Sequence, residues 1–130
     1  MLRVRNELAA KRRKARHYGV QALYKWHMIG GDPGEIVLEF CDEYDFINVD
    51  VEYFSNLLHS ISSQVEDLEA VLLPILDRKL DELDPIERSV LRLGTFELKK
   101  RPDIPYKVVI SESVALAKKF GATDSHRYIN

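Results

Sequence analysis

The residues of this sequence with the clearest chemical potential are the basic ones near its start. The run Lys11-Arg12-Arg13-Lys14-Ala15-Arg16 holds five cations in six positions. If the run is helical, residues 12 and 16 lie on one face with residue 13 close by, so three guanidinium groups can contact consecutive phosphates of one strand. A solvated charged surface or a targeting peptide would have a similar composition. The segment alone therefore leaves phosphate binding and a plain charged surface as equal alternatives.

A second basic group lies near the other end of the chain. Lys118, Lys119 and Arg127 are followed by Tyr128, whose ring could stack on an unpaired base. A place in the hydrophobic core is the competing interpretation of Tyr128. Cations beside an aromatic ring are typical of surfaces that bind single-stranded nucleic acid.

The charges are divided unevenly along the chain, although the formal net charge is only -2. Residues 1–20 carry seven bases and one acid, residues 31–87 carry sixteen acids and two bases, and residues 88–130 carry nine bases and four acids. Two basic ends that fold close together would form an anion-binding face. The acidic middle would repel a polyanion and suit a basic protein partner.

The sequence has no pattern that predicts an enzyme, a metal site or a cofactor. Its four histidines, at positions 17, 27, 59 and 126, do not stand at metal-ligand spacing from one another or from the cysteine. Neither a glycine-rich phosphate loop nor a Gly-x-Ser-x-Gly elbow is present. Adjacent acids such as Asp81 and Glu82 are expected on a solvated helix surface. We therefore predict a non-enzymatic protein without a cofactor.

Length and composition predict one cytoplasmic domain. A chain of 130 residues is sufficient for a single domain, and we assign residues 1–130 to it with residues 1–10 mobile. The single Cys41 cannot form a disulfide within the chain, and no apolar leader opens the sequence. Charges interrupt every hydrophobic stretch, so we predict no membrane span.

The hydrophobic periodicity is helical almost throughout and predicts an all-α fold. Asp32-Pro33 and Asp84-Pro85 each combine an N-cap with a proline in the first turn, and Gly30-Gly31 ends the first helix. Pro74 predicts a start or a kink near the fourth helix. The predicted helices span residues 9–29, 33–43, 51–68, 68–80, 85–100 and 107–120, and a seventh opens at Thr123 or Asp124.

Seven segments of the sequence stand out together: Arg12–Arg16, Val20–Tyr24, Ile86–Arg92, Glu97-Leu98, Pro105–Val108, Ala117–Gly121 and Asp124–Asn130. In their residues, order and spacing, across essentially the whole chain, these segments resemble the NusB family of bacterial transcription antitermination factors.

This resemblance implies a fold and a role. The fold would be a compact all-α domain of about seven helices, arranged as two packed three-helix units plus a final helix. The role would be processive antitermination, in which such proteins bind the boxA element of ribosomal-operon RNA together with NusE, a small-subunit ribosomal protein. The pair then joins NusA and NusG on RNA polymerase. Neither catalysis nor a cofactor belongs to this role.

The resemblance also assigns two surfaces. The RNA-binding residues would be Arg12, Arg13 and Arg16 with Lys107, Asp124, Arg127 and Tyr128, to which the basic pair Lys118 and Lys119 adds. Asp124 could instead serve only as a helix cap. The residues that bind NusE would be Tyr24, Asp81 and Glu87.

The sequence departs from the NusB pattern at both ends. The family continues past Asn130 with a Gly-Val-Leu segment and further turns, so we expect most of the final helix to be missing. An extension precedes Arg12 and carries Arg3 and Arg5. Two alternatives remain open, namely an RNA-binding module of an RNA methyltransferase and a self-associating structural bundle that forms a homodimer.

Overall fold

The computed structural model describes residues 2–76 and 78–121, with the exception of the side chain of residue 2. Helices dominate these residues, and none of them forms a strand. The prediction of an all-α fold is therefore confirmed. The helices are α1 (Leu2–Ile29), α2 (Pro33–Glu43), α3 (Val51–Ser63), α4 (Val65–Leu72), α5 (Pro85–Lys100) and α6 (Tyr106–Phe120), with short 3₁₀ helices at Leu73–Ile75 and Leu80–Glu82.

The chain divides into two compact units, Met1–Ser62 and Ser63–Asn130. The first contains α1, α2 and α3 up to Ser62, and the second contains α4, α5 and α6. Each unit thus holds three of the described α-helices, as the NusB resemblance implied, and the predicted seventh helix lies outside the described residues.

The core of the first unit is rich in aromatic side chains. Phe54 of α3 is fully buried, and its ring lies 5.8 Å from that of Phe40 and 5.1 Å from that of Phe46. From α1, Val20 and Leu23 are also fully buried. Aromatic pairs at these separations stabilise a core beyond the area they bury.

The boundary between α1 and α2 follows the sequence signals. Gly30 and Gly31 have φ angles of 78° and 100°, a conformation that residues with a Cβ atom rarely adopt. The Oδ1 atom of Asp32 accepts a hydrogen bond from the Gly34 amide at 3.1 Å, and Pro33 occupies the first turn of α2. The predicted stop and start signals are both confirmed.

α1 begins at Leu2 rather than at residue 9. Its first ten residues contain no proline or glycine, and Leu, Arg, Glu and Ala among them are good helix formers. The side chains of residues 3–11 are nonetheless exposed, among them Val4 at 56% and Leu8 at 53%.

The predicted boundaries of the third and fourth helices were wrong. α3 ends at Ser63 instead of continuing to residue 68, and α4 ends at Leu72 instead of residue 80. The Ser62 hydroxyl donates to the His59 carbonyl oxygen at 3.2 Å, the kind of side-chain bond that competes with helix continuation. Pro74 cannot donate a backbone hydrogen bond, and the chain around it forms a 3₁₀ turn.

The second unit brings α5 close to α6. A Cβ atom added to Gly94 would lie 2.9 Å from the Ser113 Oγ atom, so any other residue at this position of α5 would force the Ser113 hydroxyl to move. Val90 and Leu93 of α5 and Val109 of α6 are almost completely buried. These contacts fix the helix that carries Lys107 and Lys118.

A charged cluster joins α4 to α5. The Oε1 atom of Glu69 accepts hydrogen bonds from Arg92 Nε at 2.9 Å and from Arg88 Nε at 3.1 Å. The exposed fractions of these side chains are 16% for Glu69, 5% for Arg92 and 21% for Arg88. Burial by itself would raise the pKa of Glu69, but the hydrogen bonds and the positive charges of the two arginines together outweigh it and hold the pKa below its ordinary value.

Candidate nucleic-acid interface

The basic run near the start of the chain lies in the middle of α1, where Arg12 and Arg16 share one face. Both guanidinium groups lie over the Tyr53 ring of α3, with Cζ 4.8 Å from the ring centroid for Arg12 and 5.6 Å for Arg16. Arg16 is only 3% exposed, whereas the Arg12 side chain is 34% exposed. Cation–π contacts of this kind orient the planar guanidinium against the ring.

Asp50 connects the start of α3 to this face of α1. Its Oδ2 atom lies 3.8 Å from Arg12 Nε, and its Oδ1 atom accepts a hydrogen bond from the Tyr53 amide at 3.0 Å. Its own amide donates to the Lys11 carbonyl oxygen at 3.2 Å. Asp50 therefore caps α3 and positions Arg12 at the same time. The sequence predicted a helix from residue 51 but did not predict the contact between Asp50 and Arg12.

The outward surface of the run consists of Lys11, Arg13 and Lys14, all of which are exposed. Arg12 lies at its edge, because its guanidinium group contacts Tyr53 and Asp50. Of the three arginines of this run, all of which were predicted to bind RNA, Arg13 therefore presents the most surface and Arg16 the least. We refer to Lys11, Arg12, Arg13 and Lys14 as the α1 basic surface.

A second basic surface lies along α6, in the other unit. Lys107 in the first turn and Lys118 in the last turn flank a shallow groove of about 480 Å³, with Ile110 and Val114 between them. Lys119 is exposed beside it. Cations at both ends of an apolar strip suit a ligand that carries both phosphates and bases. Asp124, Arg127 and Tyr128 lie outside the described residues.

The three residues assigned to NusE differ in their exposure. Tyr24 of α1 is 37% exposed, and Asp81 is exposed in the 3₁₀ helix that precedes α5. Glu87, in the first turn of α5, is only 7% exposed. Glu87 therefore presents little surface to a partner. Asp84 is the N-cap of α5, since its Oδ1 atom accepts a hydrogen bond from the Ile86 amide at 2.8 Å.

Comparison with known proteins identifies the family. The NusB family model matches residues 13–130. The chain belongs to the NusB family. It is 50% identical to the transcription antitermination protein NusB of Pseudomonas savastanoi pv. phaseolicola (strain 1448A / Race 6) over 122 residues. These residues are 94% of this chain and 74% of that protein. The resemblance predicted from the sequence is confirmed.

Two other relatives support the same family assignment. The chain is 50% identical over 119 residues to the transcription antitermination protein NusB of Alcanivorax borkumensis, covering 92% of this chain and 79% of that protein. The protein of the same name from Yersinia pestis (strain Pestoides F) is 47% identical over 121 residues, covering 93% of this chain and 88% of that protein. NusB proteins are regulatory and not enzymatic, so the prediction of a non-enzymatic chain is confirmed.

The part of the chain that the structure describes contains neither a metal-binding cluster nor a helix that could span a membrane. Among residues 2–76 and 78–121, no group of three or more His, Cys, Asp or Glu side chains could hold a metal ion. Within the same residues, no helix is both long enough and apolar enough to cross a membrane.

Proposed function

We propose that this chain is a cytoplasmic RNA-binding adaptor of processive transcription antitermination. In this role it binds boxA-type RNA of ribosomal operons together with NusE, and the pair acts with NusA and NusG on RNA polymerase. The observation that carries the proposal is the exposed α1 basic surface in a member of a family whose relatives are named transcription antitermination proteins.

The two basic surfaces suit the RNA. Arg13, Lys11 and Lys14 can reach phosphates directly, while Tyr53 and Asp50 hold Arg12 at the edge of the same surface. Lys107, Lys118 and Lys119 of α6 are exposed and form the second basic surface. The proposed RNA site also includes Arg16, Asp124, Arg127 and Tyr128. In this proposal Arg16 supports Arg12 from within the fold and does not itself contact RNA.

The acidic middle of the chain suits NusE, which, as a protein that binds ribosomal RNA, is expected to be basic. Tyr24 and Asp81 are exposed and available for a partner. Charge complementarity of this kind speeds association and selects the partner. Glu87 is included in this proposed surface, although its burial favours a role within the fold.

The proposal can be tested by fluorescence anisotropy with a labelled boxA RNA and a scrambled RNA of equal composition. The chain with NusE should bind boxA RNA at least tenfold more tightly than the scrambled RNA, because base-specific contacts add to the phosphate contacts. NusE should also increase the affinity of the chain for boxA RNA. Equal affinity for both RNAs in the presence of NusE would refute the proposal.

The different exposures of Arg13 and Arg16 lead to a further prediction. Arg13→Ala should weaken RNA binding and make the slope of log affinity against log salt shallower by about 0.7, the value for one phosphate contact on a single strand. Its midpoint of thermal unfolding should be unchanged, because Arg13 is exposed. Arg16→Ala should lower that midpoint by several degrees, since it removes a buried side chain packed on Tyr53.

The matched control is Lys99→Ala, which removes an exposed cation at the end of α5. It should change neither the salt dependence nor the unfolding midpoint. An Arg13→Ala protein with the affinity and salt slope of the parent would remove Arg13 from the RNA surface.

A further inference from the structure

The first part of α1 is a helical segment that the family match does not include. The match begins at residue 13, whereas α1 begins at Leu2. The side chains from residue 3 to residue 11 are exposed and therefore accessible to a partner. We call residues 2–12 the basic arm.

The arm continues the charge pattern of the basic run in two rows. Arg5 precedes Arg12 by seven residues and Arg16 by eleven, about two and three helical turns, so it extends the row that faces Tyr53. Arg3 precedes Lys14 by eleven residues and extends the outward row. Because the helix is unbroken, these cations are spaced at about 1.5 Å per residue along one axis.

The positive charges of the arm are disfavoured by the dipole of the helix that carries them. The first turn of α1 contains no acidic residue, and it carries Arg3 and Arg5 near the positive end of the helix dipole. Glu7 compensates in part, since its Oε1 atom lies 3.4 Å from Arg3 Nε, but both side chains are strongly exposed, at 61% and 91%. A polyanion placed along the arm would stabilise both cations and the end of the helix.

Nucleic acid fits the arm better than a membrane or an apolar partner does. Among residues 3–12, whose side chains the structure describes, the large apolar side chains that are exposed are Val4 and Leu8, against the three exposed cations Arg3, Arg5 and Lys11. Stable insertion into a membrane interface needs a broad apolar face. The arm is also continuous with the α1 basic surface, for which we propose RNA as the ligand.

We infer that the basic arm binds the phosphate backbone of RNA that flanks the boxA element, without reading its sequence. This inference rests on the proposed function and extends its RNA surface by at least two cations. Contacts to phosphates position a protein on nucleic acid and carry no sequence information. The arm should therefore increase affinity for long RNA whatever the flanking sequence is.

The test compares the full chain with an Arg3→Gln/Arg5→Gln variant on two RNAs, boxA alone and boxA with scrambled flanks on both sides. Gln keeps good helix propensity, so the far-ultraviolet circular dichroism should not change. The variant should bind the flanked RNA about three to ten times more weakly than the parent, with a salt slope shallower by about 1.4, the value for two single-strand phosphate contacts. On boxA alone the two proteins should be equal.

The matched control is Lys99→Gln/Lys100→Gln, which removes the same charge from exposed positions at the end of α5. If it weakens binding to the flanked RNA as much as the arm variant does, net charge explains the effect and the inference fails. It also fails if the arm variant matches the parent on flanked RNA, or if the arm binds anionic phospholipid vesicles while RNA affinity is unchanged. The proposed function fails by a different result, namely equal affinity of the parent with NusE for boxA RNA and for the scrambled RNA.

Discussion

Glu69→Ala should lower the free energy of unfolding by about 3 kcal/mol, in the range found when one partner of a buried ion pair is removed. Glu69 accepts hydrogen bonds from both Arg88 and Arg92. The Arg92 side chain is 5% exposed and would keep its charge in the interior after losing this carboxylate. Urea denaturation of parent and variant measures the difference.

The control for this substitution is Glu66→Ala on the same helix. Glu66 is exposed in the first turn of α4, so its removal should change the free energy of unfolding by no more than about 0.5 kcal/mol. If Glu69→Ala were as mild as Glu66→Ala, the cluster would contribute nothing to the connection between α4 and α5.

The same cluster makes stability depend on pH. Because the pKa of Glu69 in the folded state is below its ordinary value of 4.5, its contribution is present above that value and is lost as the pH falls through the folded pKa. Denaturation of the parent and of Glu69→Gln between pH 7 and pH 3 should show a stability difference that shrinks with acidity. A difference independent of pH would contradict this account of Glu69.

Glu87→Arg should destabilise the protein by about 2 kcal/mol, because a larger side chain would enter a site where Glu87 is buried. The introduced cation would also lie in the first turn of α5, near the positive end of that helix. Glu87→Gln has nearly the same shape and should have a much smaller effect. Thermal and urea unfolding of both variants measure the difference.

Asp81→Lys tests NusE binding at an exposed position, where no buried side chain is changed. Asp81 is exposed, so this variant should unfold like the parent and weaken NusE binding through like charge. A Glu87→Arg protein of parental stability would show that Glu87 is accessible, which would favour its direct contact with NusE. Parental NusE binding by both variants would remove Asp81 and Glu87 from the proposed partner surface.

The sequence predicted those elements whose signals are local. The Asp32-Pro33 and Asp84-Pro85 pairs start α2 and α5 because a cap and a proline act within one turn. The break after Ser63 has no such cap or proline, and the Ser62 hydroxyl bond to the His59 carbonyl oxygen is found there instead. Helical periodicity alone therefore placed the end of α3 too late, at residue 68.

The orientation of the basic run required tertiary structure. Helical spacing predicted that Arg12 and Arg16 share a face, but it did not show that this face turns towards Tyr53. One signal was available, since Arg16 precedes Val20 and Leu23 by four and seven residues and therefore lies on the same buried stripe. The contact between Asp50 and Arg12 joins residues far apart in the chain, and no local pattern predicts it.

The most direct measurement of the proposed role is terminator read-through in a reconstituted transcription reaction. The template should carry boxA or a scrambled boxA upstream of a terminator, and the reaction should contain RNA polymerase, NusA, NusG and NusE. Adding the chain should increase read-through only on the boxA template, and Arg13→Ala should reduce the increase. Read-through that does not change on addition of the chain, or that rises equally on both templates, would contradict the account.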